Sequence, residues 1–382
     1  YLIKQTLPNM KTAILILSLL FSFYSIDLFS QKRNIKTIST SLFENISVRN
    51  IGPAKVSGRI TKVVKDYTDK NTWYVTTASG NIWKTENNGT TWLPIFEHYG
   101  SYSIGTITID PKNPKIIWVG TGENNSQRSV GFGDGIYKSV DSGKSWKNMG
   151  LKTSEHIAKI IVDPEDSHNI YVAAQGPLWR SGGQRGLYNS KDGGNSWQRI
   201  LHVTDDTGIS DVVMDHNDNN IMYASTYQRR RHFGIIVAGG PDGGIYKSVD
   251  KGKTWKKLKN GLPGGDLGRI GLAISPQKSN VVYALITAKK DTKGFYRSED
   301  YGETWKKMSD YQVVDSQYYV EIFPDPNQFD KIYSVDMRSY VTEDGGKTFE
   351  RIPENKKHVD SHDVLFDIND PDYIMILSLI HI

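Results

Sequence analysis

Four groups of side chains in this chain have the types and spacing to do chemistry. Glu123, Asn124 and Arg128 crowd one short segment, where they could hold a polar ligand or form an ionic network. Arg180, Arg185, the run Arg229, Arg230 and Arg231, and Arg269 carry guanidinium forks that match carboxylate or sulfate bidentately. Asp205, Asp206, Asp211, Asp266 and Asp315 are carboxylates without a repeat counterpart, and two of them at a suitable separation would form an acid/base pair. His358, Asp360, His362 and Asp363 have metal-ligand types, but a metal needs three or four donors converging at about 2 Å. An H-x-D-x-H run reads better as hydrogen-bonding residues at the start of a strand. Trp179, Tyr227 and Phe233 could stack on sugar faces or simply pack. Ligand binding is expected from Glu123, Asn124, Arg128, Arg180, Arg185, Arg229, Asp266 and Arg269, with no catalytic residue assigned and no metal or cofactor expected. No Ser/His/Asp signature, P-loop or dinucleotide fingerprint is visible.

The elements that must position these groups are set by a repeated octet. Ser139 to Trp146 reads S-V-D-S-G-K-S-W, and variants start at Thr85, Ser190, Ser248, Ser298 and Thr342. The six copies start 54, 51, 58, 50 and 44 residues apart, a period that indicates a propeller or solenoid. The hydroxyl and the Asp can bond nearby backbone N–H groups, Gly at the fifth position allows positive φ, and the closing aromatic packs between units.

A second repeat precedes each octet: a strand, a Pro/Asn/Asp turn, and a strand containing Tyr or Trp, as in 109–119, 162–172, 214–224, 274–284 and 323–333. Each unit is therefore strand A, turn, strand B, loop, strand C, octet turn, strand D. The expected fold is all-β: a propeller of four-stranded antiparallel blades at roughly 55–96, 100–149, 155–201, 208–258, 267–308 and 316–352, with a truncated seventh beginning at Ser361. Octets and A–B turns fall on one face. The long B–C and D–A connections, 123–134, 175–185, 227–242 and 310–319, fall on the other, around the channel, where binding is expected.

Residues 1–9 read as upstream read-through, 10–30 as a signal peptide and 31–42 as a linker, with 43–376 as the propeller of a longer protein. Residues 43–51 are expected to add an outer strand to the last blade. The tail 377–382, L-S-L-I-H-I, reads as a translated sequencing adapter. The protein is expected to be secreted or periplasmic, without a membrane anchor in its mature form. There is no Cys and hence no disulfide framework. A net charge of +5 with one short Arg run argues against a nucleic-acid partner.

The octets resemble the Asp-box, or bacterial neuraminidase repeat, of sialidases, of the two-propeller xyloglucanases of glycoside hydrolase family 74, and of sortilin-type receptor domains. The stretch 48–376 resembles most closely secreted bacterial proteins described as sortilin N-terminal or BNR-repeat glycosyl hydrolases. The resemblance runs through Arg49 to Ile60 (R-N-I-G-P-A-K-V-S-G-R-I), Val119 to Asn125 and His358 to Asp363. It implies a ligand-binding channel face, either glycan-related (a carbohydrate binder or glycoside hydrolase) or, alternatively, a sortilin-type protein or peptide binder without catalysis. Two departures bear on catalysis. Ala78 stands where the xyloglucanase pattern T-D-V-G-G-A-Y has its catalytic Asp. The single R-I-P, Arg351 to Pro353, reads as an ordinary fourth strand, and no sialidase arginine triad is recognised.

Overall fold

The computed structural model describes residues 58–378 except 290, 314–316, 356, 357, 368 and 369. The signal segment, the linker, the proposed strand at 43–51, Asp315 and the last four residues of the tail lie outside the described residues. Among the described residues there is no helix. Six antiparallel four-stranded sheets follow one another at 60–94, 104–148, 157–201, 207–257, 267–309 and 321–351, each in the order A-B-C-D. The fourth carries an extra strand, Ile235–Ala238, paired with the long second strand Met222–His232. A two-stranded hairpin, Ser361–Asp367 and Asp370–Ser378, follows.

The sheets form a closed ring because every seam has its own apolar filling. Tyr74, Ile82, Phe96, Ile107 and Trp146 fill the seam between blades 1 and 2, and Trp118, Ile157, Ile160 and Tyr188 that between blades 2 and 3. The hairpin takes the seventh place: Val364 packs with Tyr333 and Val335 of blade 6, while Leu377 packs with Ile60, Val63 and Val75 of blade 1. Polar bonds reinforce the packing. The Tyr74, Tyr171 and Tyr223 hydroxyls each donate to the carbonyl at the fourth octet position of the next blade, on Ser142, Lys251 and Tyr301. Such a bond contributes about 1 kcal/mol.

The octets owe their uniformity to a single bonding scheme. The fifth-position N–H donates to the first-position hydroxyl at 2.8–2.9 Å, and the seventh-position N–H donates to the Asp or Asn Oδ1 at 2.8–3.0 Å. The fifth-position Gly has φ between +80 and +94°, as expected from the sequence. The fourth position is also left-handed, at +55 to +71°, and in the second, fourth and fifth octets it is Ser142, Lys251 or Tyr301 rather than Gly or Asn. The bonded loop imposes that conformation on side chains that rarely adopt it.

The octet carboxylates give the fold an acid-sensitive component. The Thr254 hydroxyl, then a weak opposing burial effect and the Thr254 N–H, leave the Asp250 carboxyl at about 2 against its ordinary 3.8. The Ser196 hydroxyl and N–H likewise hold Asp192 at about 2. A folded pKa below the unfolded one contributes stability above the unfolded value, and that contribution is lost as pH falls through the folded value. Denaturant midpoints should therefore drop between pH 4 and pH 2. Asp250→Asn should flatten part of that slope, because Asn87 of the first octet already makes the corresponding bonds without a charge. A pH profile identical to that of the unmodified chain would show that the octets do not contribute to it.

Candidate functional site

At the loop face, the segment 123–127 crosses the mouth of the channel. It leaves the second strand of blade 2 through Gly122, at φ +84°, where a Cβ would lie 1.7 Å from the Glu155 carbonyl oxygen. The buried Glu123 carboxylate accepts Arg59 Nε at 2.5 Å and Nη2 at 2.6 Å, Asn125 Nδ2 at 2.5 Å and the Tyr319 hydroxyl at 3.2 Å. Asn124 takes Gln175 Nε2 on its side-chain oxygen and Arg269 Nη1 on its carbonyl, the latter at 2.8 Å. Arg229 Nη1 donates to the Asn125 carbonyl at 2.5 Å, Arg231 Nε to that of Ser126 at 2.7 Å, and His156 Nδ1 to that of Glu123 at 2.9 Å. These partners belong to blades 1, 3, 4, 5 and the approach to blade 6, and only a segment lying over the axis reaches them all.

Burial sets the electrostatics of this plug. Burial, then the Glu123 charge, pushes the Tyr319 phenol well above its ordinary value. Burial, then the Arg229 charge, drives His156 down, so its ring is neutral. Burial, reinforced by the charges of Arg185 and Arg269, lowers Arg229 to about 9.

The eight expected ligand residues do not form one site. Glu123, Asn124, Arg229 and Arg269 converge in the plug. Arg185 is fully buried and holds its own loop through the Gln175, Pro177, Arg180 and Gly182 carbonyls. Arg128 is exposed, and Arg180 pairs with Glu155 at 2.6 Å on the exterior. Asp266 faces Lys289 at 3.6 Å in a cleft between blades 4 and 5. Asp206 is held by Arg230 and Ser181, and Asp205 lies 3.6 Å from His202. Positive φ at Asp360 breaks the extended H-x-D-x-H, so His358, Asp360 and His362 do not alternate along one strand. Among the described residues no three His, Asp or Glu side chains are grouped to hold a metal. Ala78 is buried, its N–H bonded to the Arg59 carbonyl. Arg351 ends the fourth strand of blade 6 and pairs with Glu354.

Two cavities flank the plug. The cleft, of about 550 Å3, runs beside Ile236, Val237 and Ala238 of the extra strand and is walled by Gly268, Thr287, Ala288, Gln312 and Val313, with Asp266 and Lys289 as its charged groups. Gly239 N–H donates to the Gln228 carbonyl, so ladder alternation turns the N–H and C=O of Ile236 and Ala238 away from Met222–His232, toward the cleft. In the two-residue turn Phe233 is fully exposed, and Ile235 just after it is largely so. The Arg231 N–H bond to the Leu178 carbonyl sets this hairpin beside exposed Trp179. Tyr227, at the base of the hairpin, is buried instead.

The second cavity, of about 470 Å3, is the channel itself, opening at the octet face. Lys62, Lys159, Asp211 and Glu321 project into it from blades 1, 3, 4 and 6. Lys62 pairs with Asp363 at 2.5 Å and Lys159 with Asp211 at 2.6 Å. Burial pushes the Glu321 carboxyl up, Lys62 and Lys159 oppose the rise, and Asp211 and Asp363 add to it. Of these, only Asp211 and Asp363 stand out in the sequence. The missed signal is register: Lys62, Lys159, Asp211 and Asp363 each follow a β-bulge residue of an inner strand, and a bulge re-aims the side chain after it.

The Sortilin-Vps10 family (sortilin, neurotensin receptor 3) matches residues 134–261 and 293–380, more than half of the chain. The xyloglucanase Xgh74A of Acetivibrio thermocellus is 25% identical over 257 residues, covering 59% of this chain and 28% of its own length. The chain thus spans less than a third of that relative. Among solved structures, the GH74 xyloglucanase of Xanthomonas campestris superposes with a TM-score of 0.56 at 16% identity, over 82% of this chain and 50% of that one. YCF48 bound to D1 peptide superposes with a TM-score of 0.55 at 15% identity, over 87% and 95%. These two likenesses show the fold. No helix among the described residues is long and apolar enough to cross a membrane.

Proposed function

We infer, on the premise that this chain belongs to the Sortilin-Vps10 family, that it is a non-catalytic binding propeller whose ligand is a peptide held in extended form on the loop face. The observation that carries this is the cleft beside the unpaired edge of Ile235–Ala238. A strand edge with main-chain donors and acceptors facing a cleft recognises an added peptide strand, with side-chain pockets supplying selectivity. Asp266 and Lys289 offer complementary partners for a charge on that peptide. The family description names a neurotensin receptor, and YCF48 is a propeller bound to a peptide, which support this class of ligand. Against catalysis stand Ala78 at the xyloglucanase Asp position and the engagement of Asp206, Asp211 and Asp363 with cationic partners. The apolar run 12–29 supports a place of action outside the cytoplasm.

Ile236→Pro tests the reading, because that N–H is not used in the hairpin's own ladder and Pro is tolerated at an outward edge position. Binding of extended peptides selected from an array should weaken about tenfold or more, since a main-chain donor is lost and the ring obstructs the added strand. Unchanged peptide affinity would overturn it. A second reading rests on Trp179 and Phe233, exposed aromatics on neighbouring loops suited to stacking on sugars. Binding of xyloglucan oligosaccharides that is abolished by Trp179→Ala and indifferent to Ile236→Pro would transfer the function to glycans.

A further inference from the structure

Four charged side chains line the channel cavity, Lys62, Lys159, Asp211 and Glu321, and Asp363 behind them pairs with Lys62. Lys62 and Asp363 neutralise one another, as do Lys159 and Asp211. Glu321, at the start of the inner strand of blade 6, has no hydrogen-bond or ion-pair partner among the described residues. The plug over the loop face leaves the cavity accessible from the octet face. Toward that opening the wall is apolar: Met214, Ile274, Pro276, Phe323, Pro324 and Phe366. Both lysines are already committed to aspartates, and Lys62 also lies 5.4 Å from the Phe323 ring centroid. The site is therefore a pocket in which three carboxylates face two lysines, leaving one negative charge in excess inside an apolar collar.

We propose that the octet-face mouth of the channel binds an organic cation on an apolar stem, an ammonium or guanidinium group of the lysine or arginine type, with Glu321 as its counter-ion. A carboxylate in confined surroundings gains most from a partner that brings both charge and hydrogen-bond donors. The stem replaces water along Phe323, Phe366 and the prolines, and an aromatic wall also attracts the cationic head. An anion would meet Glu321, Asp211 and Asp363 with both lysine charges already used. A neutral apolar molecule would fill the collar but leave the carboxylate without a partner. The site is independent of the Ile235–Ala238 edge, on the opposite face, so either proposal can fail alone.

Titration of the full chain with n-butylamine and n-butylguanidine, with n-butanol as the neutral control, tests this directly. Both cations should bind, Glu321→Gln should weaken them about tenfold, as expected for loss of a charge-assisted bond, and n-butanol should bind no better than the weakened cations. The better of the two cations identifies the head group. Glu321→Gln removes no bond within the protein, so its melting temperature should match or exceed that of the unmodified chain. As a second readout, the Glu321 side-chain carboxyl 13C resonance of the unmodified chain should move on adding either cation. Equal affinity in Glu321→Gln, n-butanol binding as tightly as the amine, or a carboxyl resonance that does not respond would each overturn the proposal.

Discussion

Glu123→Ala should lower the stability of the propeller by about 3–5 kcal/mol, the cost of removing one partner from a buried ion pair. The loss removes the acceptor that the Arg59 guanidinium, the Asn125 amide N–H and the Tyr319 hydroxyl share. Arg269, Arg229 and Arg231 would lose the ordered carbonyls they hold, because the segment that presents them is tethered by Glu123. Urea unfolding gives the number. Glu123→Gln separates charge from hydrogen bonding: it keeps an acceptor for Arg59 and should recover part of the loss, whereas Arg59→Met with Glu123→Met should recover more by removing both charges. A residue kept only to contact a ligand behaves oppositely, since its truncation is usually neutral or stabilising. A loss below about 1 kcal/mol for Glu123→Ala would return Glu123 to the list of ligand contacts and deny the plug its structural role.

That contrast shows what the sequence reveals and what it hides. The blades were legible because each octet carries its own bonding scheme within eight residues, from the Ser139 hydroxyl to the Asp141 contacts with Ser145. Local chemistry needs no knowledge of the rest of the chain. The site was legible only as a face and a set of loops. Glu123 and Arg229 break the repeat pattern as a ligand contact would, but the same departure serves a plug in which blades 1 to 6 meet. Whether a carboxylate 64 residues from Arg59 lies beside it is a property of the closed ring, not of spacing. Glu321 was missed for the converse reason: it sits in the ordinary register of an inner strand, and its lack of a partner appears only once the other strands surround it. The edge at Ile235–Ala238 was read as an irregular loop, since no turn signal marks a hairpin that projects from a blade without joining its sheet path.

Asp363→Ala should open the ring at one seam. Its Oδ2 accepts the Val63 N–H at 2.8 Å and its Oδ1 takes Lys62 at 2.5 Å, joining the hairpin to the inner strand of blade 1. Asp211 of blade 4 makes comparable bonds at a different seam, accepting the Leu272 N–H of blade 5 at 2.9 Å and Lys159 of blade 3 at 2.6 Å. Each truncation strands a buried N–H and a lysine, at a cost of about 3 kcal/mol. The consequences should nevertheless differ. Asp211 joins two full blades, 4 and 5, whose seam also holds Tyr223, Ile245, Leu272, Tyr296 and Trp305. Asp363 joins a blade to a two-stranded hairpin, across a seam whose buried apolar filling is Ile60, Val63, Val75 and Leu377. Hydrogen exchange distinguishes the two cases. In Asp363→Ala the amides of Val63 and of 361–378 should exchange by opening well below the global unfolding energy, while the remaining blades keep their protection. In Asp211→Ala protection should fall across all blades together. Lys62→Met with Asp363→Leu should restore most of the lost stability without the charges, because the seam then gains apolar area in place of the pair. If Val63 and the hairpin stay as protected in Asp363→Ala as in the unmodified chain, the ring is closed there by packing alone, and the ion pair contributes nothing to the seam.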